Sequence, residues 1–486
     1  MSKFIGRQDE LVALNQLLDK RSASLIIIKG RRRIGKSRLL EEFAKRFDNA
    51  YVFSGLAPRL EEGVSAQTQR DEFVRQFTRQ LGDTSAEQTR DWGDLFWQLS
   101  QQTTQGRVLI VLDEITWMGS MDPDFLGKLK NAWDLYFKKN DHLILALCGS
   151  VSTWIEENIL SSTGFLGRES LVLTLEEMPL RDCSEFWNAD DERVSAYEKL
   201  KLLSVTGGIP RYLESINPSL TAEQNIQQLC FDQRGILYEE FEKIFSDLFS
   251  SRNELYKGIV NCLADGIADQ ETIIRQVGLK KGGDISNYLN DLIQSGFLSR
   301  DFTWKIKNGD VSNLSHYRLK DNYSRFYLKY ILPNKEKIKL GNMRQMSLSS
   351  LKGWFTIMGL QVENLILSNR NEIKQKLKID PNDILTDNPF FQRRSTKQPG
   401  CQIDYMIQTR HNVLYICEIK FSGREIGGQV IDEMREKIRR LKIPRQFSYR
   451  PVLIHVNGVS ELVIESQYFS DIIDFSECFH QVSVCE

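Results

Sequence analysis

Residues Leu25 to Leu40, LIIIKGRRRIGKSRLL, restrict the fold more than any other part of the chain. Leu25 to Ile28 form an apolar run suited to a short buried strand, and Leu39, Leu40 and Phe43 follow on helical spacing. Between them, Gly30-Arg31-Arg32-Arg33-Ile34-Gly35-Lys36-Ser37 fits G-x-x-x-x-G-K-[ST] at every position. Strand, glycine loop and helix are the context this pattern requires. The glycines let the backbone wrap phosphate oxygens closely, and the loop and helix-start N–H groups face the anion. Lys36 can reach the β and γ phosphates, and the Ser37 hydroxyl can ligate magnesium. The stretch therefore predicts a site for ATP and Mg2+ built from Gly30, Arg31, Arg32, Arg33, Ile34, Gly35, Lys36, Ser37 and Arg38.

A chain of 486 residues exceeds one ordinary core, and about two to four domains are expected. Lys plus Arg total 64 against 65 for Asp plus Glu, so any nucleic-acid surface must be local rather than global. The eight cysteines form no C-x-x-C pair, and several sit inside apolar runs, which fits a reducing compartment. The start, MSKFIGRQDE, turns polar at once, and no apolar run approaches about eighteen residues. A cytoplasmic chain without a membrane partner is expected.

Ahead of the phosphate loop, Phe4-Ile5-Gly6-Arg7-Gln8-Asp9-Glu10-Leu11 leads into an amphipathic helix with Leu11, Leu14, Leu17 and Leu18 on one face. Beyond it, Tyr51-Val52-Phe53 reads as a second strand. Residues 58–106 are rich in Gln, Arg, Glu and Thr, with apolar spacing at Phe73, Phe77 and Leu81 and again at Trp92, Leu95, Phe96 and Leu99. Two surface helices are predicted there, their Gln/Arg-rich side being a solvated face. Val108 to Leu112 is an apolar strand that ends in Asp113 and Glu114. Asp113 would hold magnesium, and Glu114 would orient and deprotonate the attacking water.

Leu143 to Gly149 forms a further buried strand followed by Ser150. That serine can start a turn or cap the helix after it. Arg168, in the loop Gly164-Phe165-Leu166-Gly167-Arg168 before a strand at 170–175, is either a solvated side chain or a positive charge for the transition state. If it serves a neighbouring copy, the chain works as a homo-oligomer.

Thr206-Gly207-Gly208-Ile209-Pro210-Arg211-Tyr212-Leu213 ends one helix at its glycines and starts the next at Pro210. With this element the motifs F-x-G-R-x-x-E-L, G-R-R-R-I-G-K-S, L-D-E-I, C-G-S and G-G-I-P-R-Y-L resemble, over residues 1 to about 235, the archaeal-type ATPase family of the STAND clade of AAA-like P-loop NTPases. The resemblance implies that the lead-in packs beside the adenine, that Pro210 lies near the base from a helical subdomain, and that Arg211 is a second sensor; it also offers Ser150, as the alternative to a cap, as a polar sensor beside the γ-phosphate.

From Asn253 to about Leu328 the pattern changes to three short helices, marked by Leu255, Ile259, Val260 and Leu263, by Thr272, Ile273, Ile274 and Val277, and by Ile285, Leu289, Leu292 and Ile293. A hairpin follows through Gly296–Arg300, Trp304–Lys307 and His316–Leu319. This resembles a winged helix, which either places Lys280, Lys281, Ser286 and Asn287 in a DNA major groove or packs to hold the ATPase closed.

The last region reads helix, three strands, helix, strand. Helix 353–370 carries Glu363, the strands carry Asp404 and Glu418-Ile419-Lys420, and a charged helix begins at Gln429 ahead of the strand Pro451–Val456. Glu418 and Lys420, two apart on a strand, share a face that Asp404 on the neighbouring strand can meet. Two carboxylates there can bind Mg2+, and the lysine can activate water or stabilise charge. A solvent-facing E-x-K on an ordinary strand is the competing explanation. The constellation resembles the PD-(D/E)XK nuclease superfamily, with Ile403 in place of the proline before the aspartate. That resemblance implies metal ligands Asp404 and Glu418, a catalytic Lys420, a helix-borne acid Glu363, and Gln429 as an accessory helix residue.

The expected architecture is α/β: a P-loop ATPase core with a parallel sheet (1–178), a helical lid (179–250), a winged helix (251–335), and a restriction-endonuclease-like α/β domain (350–486). The expected function is an ATPase whose nucleotide state controls a nuclease acting on DNA ahead of RNA, suited to defence or mobile-element biology. The alternatives are an ATP-dependent switch or scaffold with an inactive nuclease fold, and a DNA-binding regulator.

Overall fold

The computed structural model describes residues 3–57, 65–82, 91–150, 152–187, 193–249, 252–279, 284–396 and 398–479. Lys280 and Lys281 lie outside them. The chain divides into two compact units: Met1–Met178 with Ile209–Arg211 and Gln294–Gly296, and Pro179–Gly208 with Tyr212–Ile293 and Phe297–Glu486.

In the first unit, helix α1 (Gln8–Asn15) precedes strand β1 (Ser24–Lys29), helix α2 (Lys36–Ala44) and strand β2 (Asn49–Ser54). Helices α3 (Ala66–Leu81) and α4 (Trp92–Gln101) lead to β3 (Val108–Asp113), α5 (Phe125–Leu135), β4 (Leu143–Gly149) and β5 (Glu169–Thr174). The sheet order is β2-β3-β4-β1-β5, with every pairing parallel. β1, β3 and β4 are almost wholly buried, as continuous apolar strands covered on both faces must be. α3 and α4 press Phe73, Phe77, Trp92, Leu95, Phe96 and Leu99 into that core, and the Phe73 ring stacks on Phe53 with centroids 4.3 Å apart.

The polar side of α3 is only partly a solvated face. β2 is an edge strand, and Gln69, Gln76 and Gln80 bond its free backbone: the Gln80 amide takes Val52 N–H and donates to Val52 C=O, Gln76 does the same at Ser54, and Gln69 at Leu56, all at 2.8–3.0 Å. The glutamines act as a substitute strand and close an edge that would otherwise be open to pairing. Asp71, Arg75 and Arg79 on the same helix remain exposed.

In the second unit, helix α6 (Ala196–Thr206) ends at Gly207, and α7 (Asn253–Cys262), α8 (Gln270–Val277) and α9 (Asp284–Gln294) precede an antiparallel hairpin, β6 (Leu298–Trp304) with β7 (Val311–Leu319). The predicted order of three helices and a hairpin is thus present. Helix α10 (Trp354–Ser368), strands β8 (Ile384–Gln392), β9 (Cys401–Thr409) and β10 (Val413–Phe421), helix α11 (Gln429–Arg440) and strands β11 (Ser448–Val456) and β12 (Asp471–Asp474) complete it. The sheet runs β12-β11-β10-β9-β8, antiparallel from β8 to β10 and parallel from β10 to β12.

The hairpin and this sheet share one core. Trp304 and Ile306 are buried with Phe390, Ile403, Met406 and Leu414. Trp304 Nε1 donates to Gln408 Oε1 at 2.6 Å, and Gln408 Nε2 donates to Ile306 C=O at 2.9 Å. β7 is tied to α10 by a buried polar network: Arg318 bonds Asp301 and Asn364, while Arg325 donates to Gln361 Oε1 at 2.8 Å. Burial draws the Arg325 pKa down to about 10, with Arg318 adding to the effect.

Candidate functional site

Parallel alignment brings the carboxyl ends of β1, β4 and β3 together at one end of the first sheet, where α/β folds place ligands. The loop Gly30–Gly35 leaves β1 there. Gly30 has φ +152° and Gly35 φ +95°, and a Cβ on Gly30 would lie 2.6 Å from the Leu175 carbonyl oxygen, so the motif's first glycine is sterically required. Arg33, with φ 73°, continues the tight loop. Ile34 is fully buried and anchors it. Arg7, itself buried, donates to Ile34 C=O at 3.1 Å and to Glu176 C=O at 2.5 Å while pairing Glu10 at 2.8 Å. The lead-in thus clamps the loop, a role that its sequence alone did not reveal.

Lys36 curls into the loop and donates to Gly30 C=O at 2.8 Å and Arg31 C=O at 3.1 Å. Ser37 Oγ donates to Asp113 Oδ2 at 2.8 Å. Glu114, at φ 51°, turns its carboxylate to Ser150, whose hydroxyl donates at 2.9 Å and whose N–H lies at 3.3 Å. Ser37 thus meets Asp113 and Ser150 meets Glu114, with the Lys36 ammonium in the loop that precedes Ser37. Pro210 joins them, its Cγ 3.7 Å from the position a Cβ would take on Gly35.

Arginines of the expected set also have protein surroundings of their own. Arg31 is buried against Glu177 at 3.7 Å and Arg38 pairs Glu41 at 3.1 Å, so both side chains have protein partners; Arg32 is half-buried. Arg168 lies toward the other end of the sheet from the phosphate loop. It precedes β5, whose first residue, Glu169, pairs with Leu25 at the start of β1, whereas the phosphate loop leaves the other end. Five strand steps separate the two ends, about 17 Å. Arg168 grips Asp134 in a two-pronged ion pair at 2.9 and 3.1 Å, which holds the Asp134 carboxyl well below the usual range. It therefore cannot touch phosphates bound to its own loop.

In the second unit, β10 presents Glu418 and Lys420 on one face, and Ile419 N–H, between them, donates to Asp404 Oδ2 at 3.0 Å. Glu418 is only 2% exposed. Lys420 Nζ lies 3.0 Å from Glu418 Oε1 and 2.7 Å from Glu433 Oε2, and Gln429 donates to Glu433 Oε1 at 2.9 Å. A residue outside the predicted set completes the cluster: Lys437 Nζ contacts Glu418 Oε2 at 2.5 Å and Asp404 Oδ1 at 3.2 Å. Gln429, Glu433 and Lys437 stand four residues apart on α11, one helical stripe laid over the strand face. Once Gln429 is singled out, this i, i+4, i+8 spacing is legible.

Burial and the neighbouring Asp404 raise the Glu418 pKa against the pull of Lys437 and Lys420. Burial opposes the charge of Lys420, but Glu418 and Glu433 outweigh it and hold its pKa above the usual lysine value. Glu363 on α10 is pushed up to about 7 by burial and Asp404, with Arg318 and Arg325 opposing. Among the described residues, no three His, Cys, Asp or Glu side chains are arranged to hold a metal ion, so the acidic centre consists of a carboxylate pair with Glu363 nearby. Among the same residues no helix is long and apolar enough to cross a membrane.

Residues 4–216 match the family described as an ATPase domain predominantly from Archaea. An uncharacterized protein of Methanocaldococcus jannaschii is 25% identical over 344 residues, spanning 70% of this chain and 71% of that protein. Among solved structures, the Walker-type ATPase of Pyrococcus abyssi is 15% identical and covers 67% of this chain and 96% of its own, with a TM-score of 0.44. The ORC2 protein of Aeropyrum pernix is 15% identical, covers 70% and 96%, and gives a TM-score of 0.42. The family match over residues 4–216 and the phosphate loop, helix and Asp113 found within them identify this part of the chain as an archaeal-type P-loop ATPase domain.

Proposed function

We propose that the chain hydrolyses ATP at the Lys36–Ser37–Asp113–Glu114 site and that nucleotide state governs a nuclease-like C-terminal domain acting on DNA. The observation that carries the first half is the pairing of Ser37 with Asp113 at 2.8 Å beside a Glu114 that Ser150 holds. Among the described residues Lys36 bonds neutral carbonyls, which anionic triphosphate oxygens can replace with ion pairs. Ser37 and Asp113 fit Mg2+, which when bound would neutralise charge on the β and γ phosphates. Glu114 orients the attacking water and accepts its proton, with Ser150 fixing the carboxylate. Pro210 borders the loop and flanks the nucleotide.

For the second half, Asp404 and Glu418 fit a divalent cation, whose contribution would be to polarise a phosphodiester. Lys420, held by Glu418 and Glu433, stabilises the developing charge, and Glu363 lies close enough for the Asp404 charge to raise its pKa. The three helices and hairpin form a winged-helix connector. A packing role suits it better than groove reading. The exposed residues of α9 include Asp284, Ser286, Asn287 and Asn290, with no cation among them, and the hairpin is buried at Trp304. This favours as second reading a nucleotide switch whose C-terminal domain does not cleave.

Plasmid incubated with the full chain, Mg2+ or Mn2+, with and without ATP, separates the readings. Cleavage that ATP alters and Asp404→Ala abolishes is the expected result. Absence of cleavage under every condition, with ATP hydrolysis intact, would establish the switch instead.

A further inference from the structure

We infer that Lys437 is a built-in counter-ion of the Asp404–Glu418 pair, and that a divalent cation occupies the pair only by displacing it. The inference rests on the reading above, in which this pair is the metal-binding pair.

Every oxygen of the two carboxylates has a partner. Asp404 Oδ2 accepts from Ile419 N–H and Glu418 Oε1 faces Lys420, which leaves Asp404 Oδ1 and Glu418 Oε2, one oxygen from each group. The Lys437 ammonium sits on both, at 3.2 and 2.5 Å. That is the position an ion shared by the pair must take, so ammonium and metal exclude each other by sterics and by charge.

The two lysines of the cluster differ in how they are held. Lys420 is fixed from the other side by Glu433 at 2.7 Å, and it is carried on the strand itself. Among the described residues the Lys437 ammonium is paired only with these two carboxylates, and it stands at the end of a flexible four-carbon stem on α11. It is the one free to leave. Without Lys437 the two adjoining carboxylates would keep a single ammonium, Lys420 on Glu418, so departure of Lys437 and arrival of a cation are coupled. The domain thereby carries its own stopper, stable without metal and opened by it.

Mn2+ binding to the nucleotide-free full chain, followed by electron paramagnetic resonance, tests this in wild type, Lys437→Met, Lys437→Arg and Asp404→Asn. An Asp404-dependent site whose affinity rises about tenfold or more in Lys437→Met, but not in Lys437→Arg, is expected. A wild-type measurement covers the case in which a variant misfolds. Labelling of Lys437 by an amine-reactive ester, read by mass spectrometry, rises when Mn2+ is added. Unchanged affinity in Lys437→Met with an intact Asp404-dependent site, or unchanged labelling at saturating Mn2+, overturns the displacement and leaves the metal reading standing. Absence of Asp404-dependent Mn2+ binding in both wild type and Lys437→Met overturns both.

Discussion

Each of the two sites is organised round a lysine with two close oxygen partners, and the partners differ in kind. Lys36 donates to two loop carbonyls, whereas Lys437 is clamped by two carboxylates. An ammonium is attracted more strongly to a carboxylate than to a neutral carbonyl, because both partners then carry a full charge. The first lysine is therefore poised to exchange its partners for an anion, and the second is poised against exchange except by a stronger cation. One site spends little stability on its readiness to bind; the other is part of what holds its domain together.

The largest expected effect is on chemistry at the first site. Glu114→Gln keeps the carboxylate's shape and its bond with Ser150 while removing the proton acceptor, so steady-state ATP hydrolysis should fall by about 10²–10⁴-fold. Nucleotide affinity, measured by fluorescence titration, should hold. A matching loss of affinity would mean that Glu114 shapes the pocket rather than the reaction.

Next comes stability at the second site. Glu418→Gln leaves two lysines facing a neutral amide in a buried place, and chemical denaturation should show a loss on the order of 3 kcal/mol. Lys36→Met, in contrast, should denature close to wild type while losing ATP binding. Equal stabilities for the two variants would break the comparison.

The third effect is smaller and depends on pH. The Glu363 carboxyl binds its proton more tightly in the folded chain, at about 7, than at its ordinary 4.5. The folded state then holds the extra proton between those values, so its contribution is full below about pH 4.5, falls as pH rises, and is lost above about 7. Glu363→Gln, in chelator, should remove that decline and gain on the order of 1–3 kcal/mol relative to wild type at pH 8, with little change at pH 4.5. A wild-type stability that is flat over this window would place Glu363 among charges that fully compensate its burial.

The stretch from β1 to α2 was legible because phosphate binding by backbone depends on local geometry: two glycines, a lysine and a serine at fixed spacing, between an apolar strand and a helix. Asp113 and Glu114 were legible as the polar end of an apolar run, and Asp404, Glu418 and Lys420 through strand alternation. The end of the sheet at which Arg168 lies was not legible, because a loop motif carries no information on it. The glutamines of α3 read as solvated because nothing in their spacing says that a strand edge lies alongside.

By itself, then, the sequence determined the features that depend on neighbours in the chain: the phosphate loop, the apolar strands, the order of elements in both units, and which residues share a strand face. Tertiary structure alone decided which groups from distant segments meet. It placed Lys437, thirty-three residues beyond Asp404, on both acidic groups, joined Arg7 to Ile34, and buried Trp304 under the C-terminal sheet. The physical reason is that hydrogen bonds and ion pairs act over about 3 Å, and sequence separation does not specify distance until sheet order and register have been set.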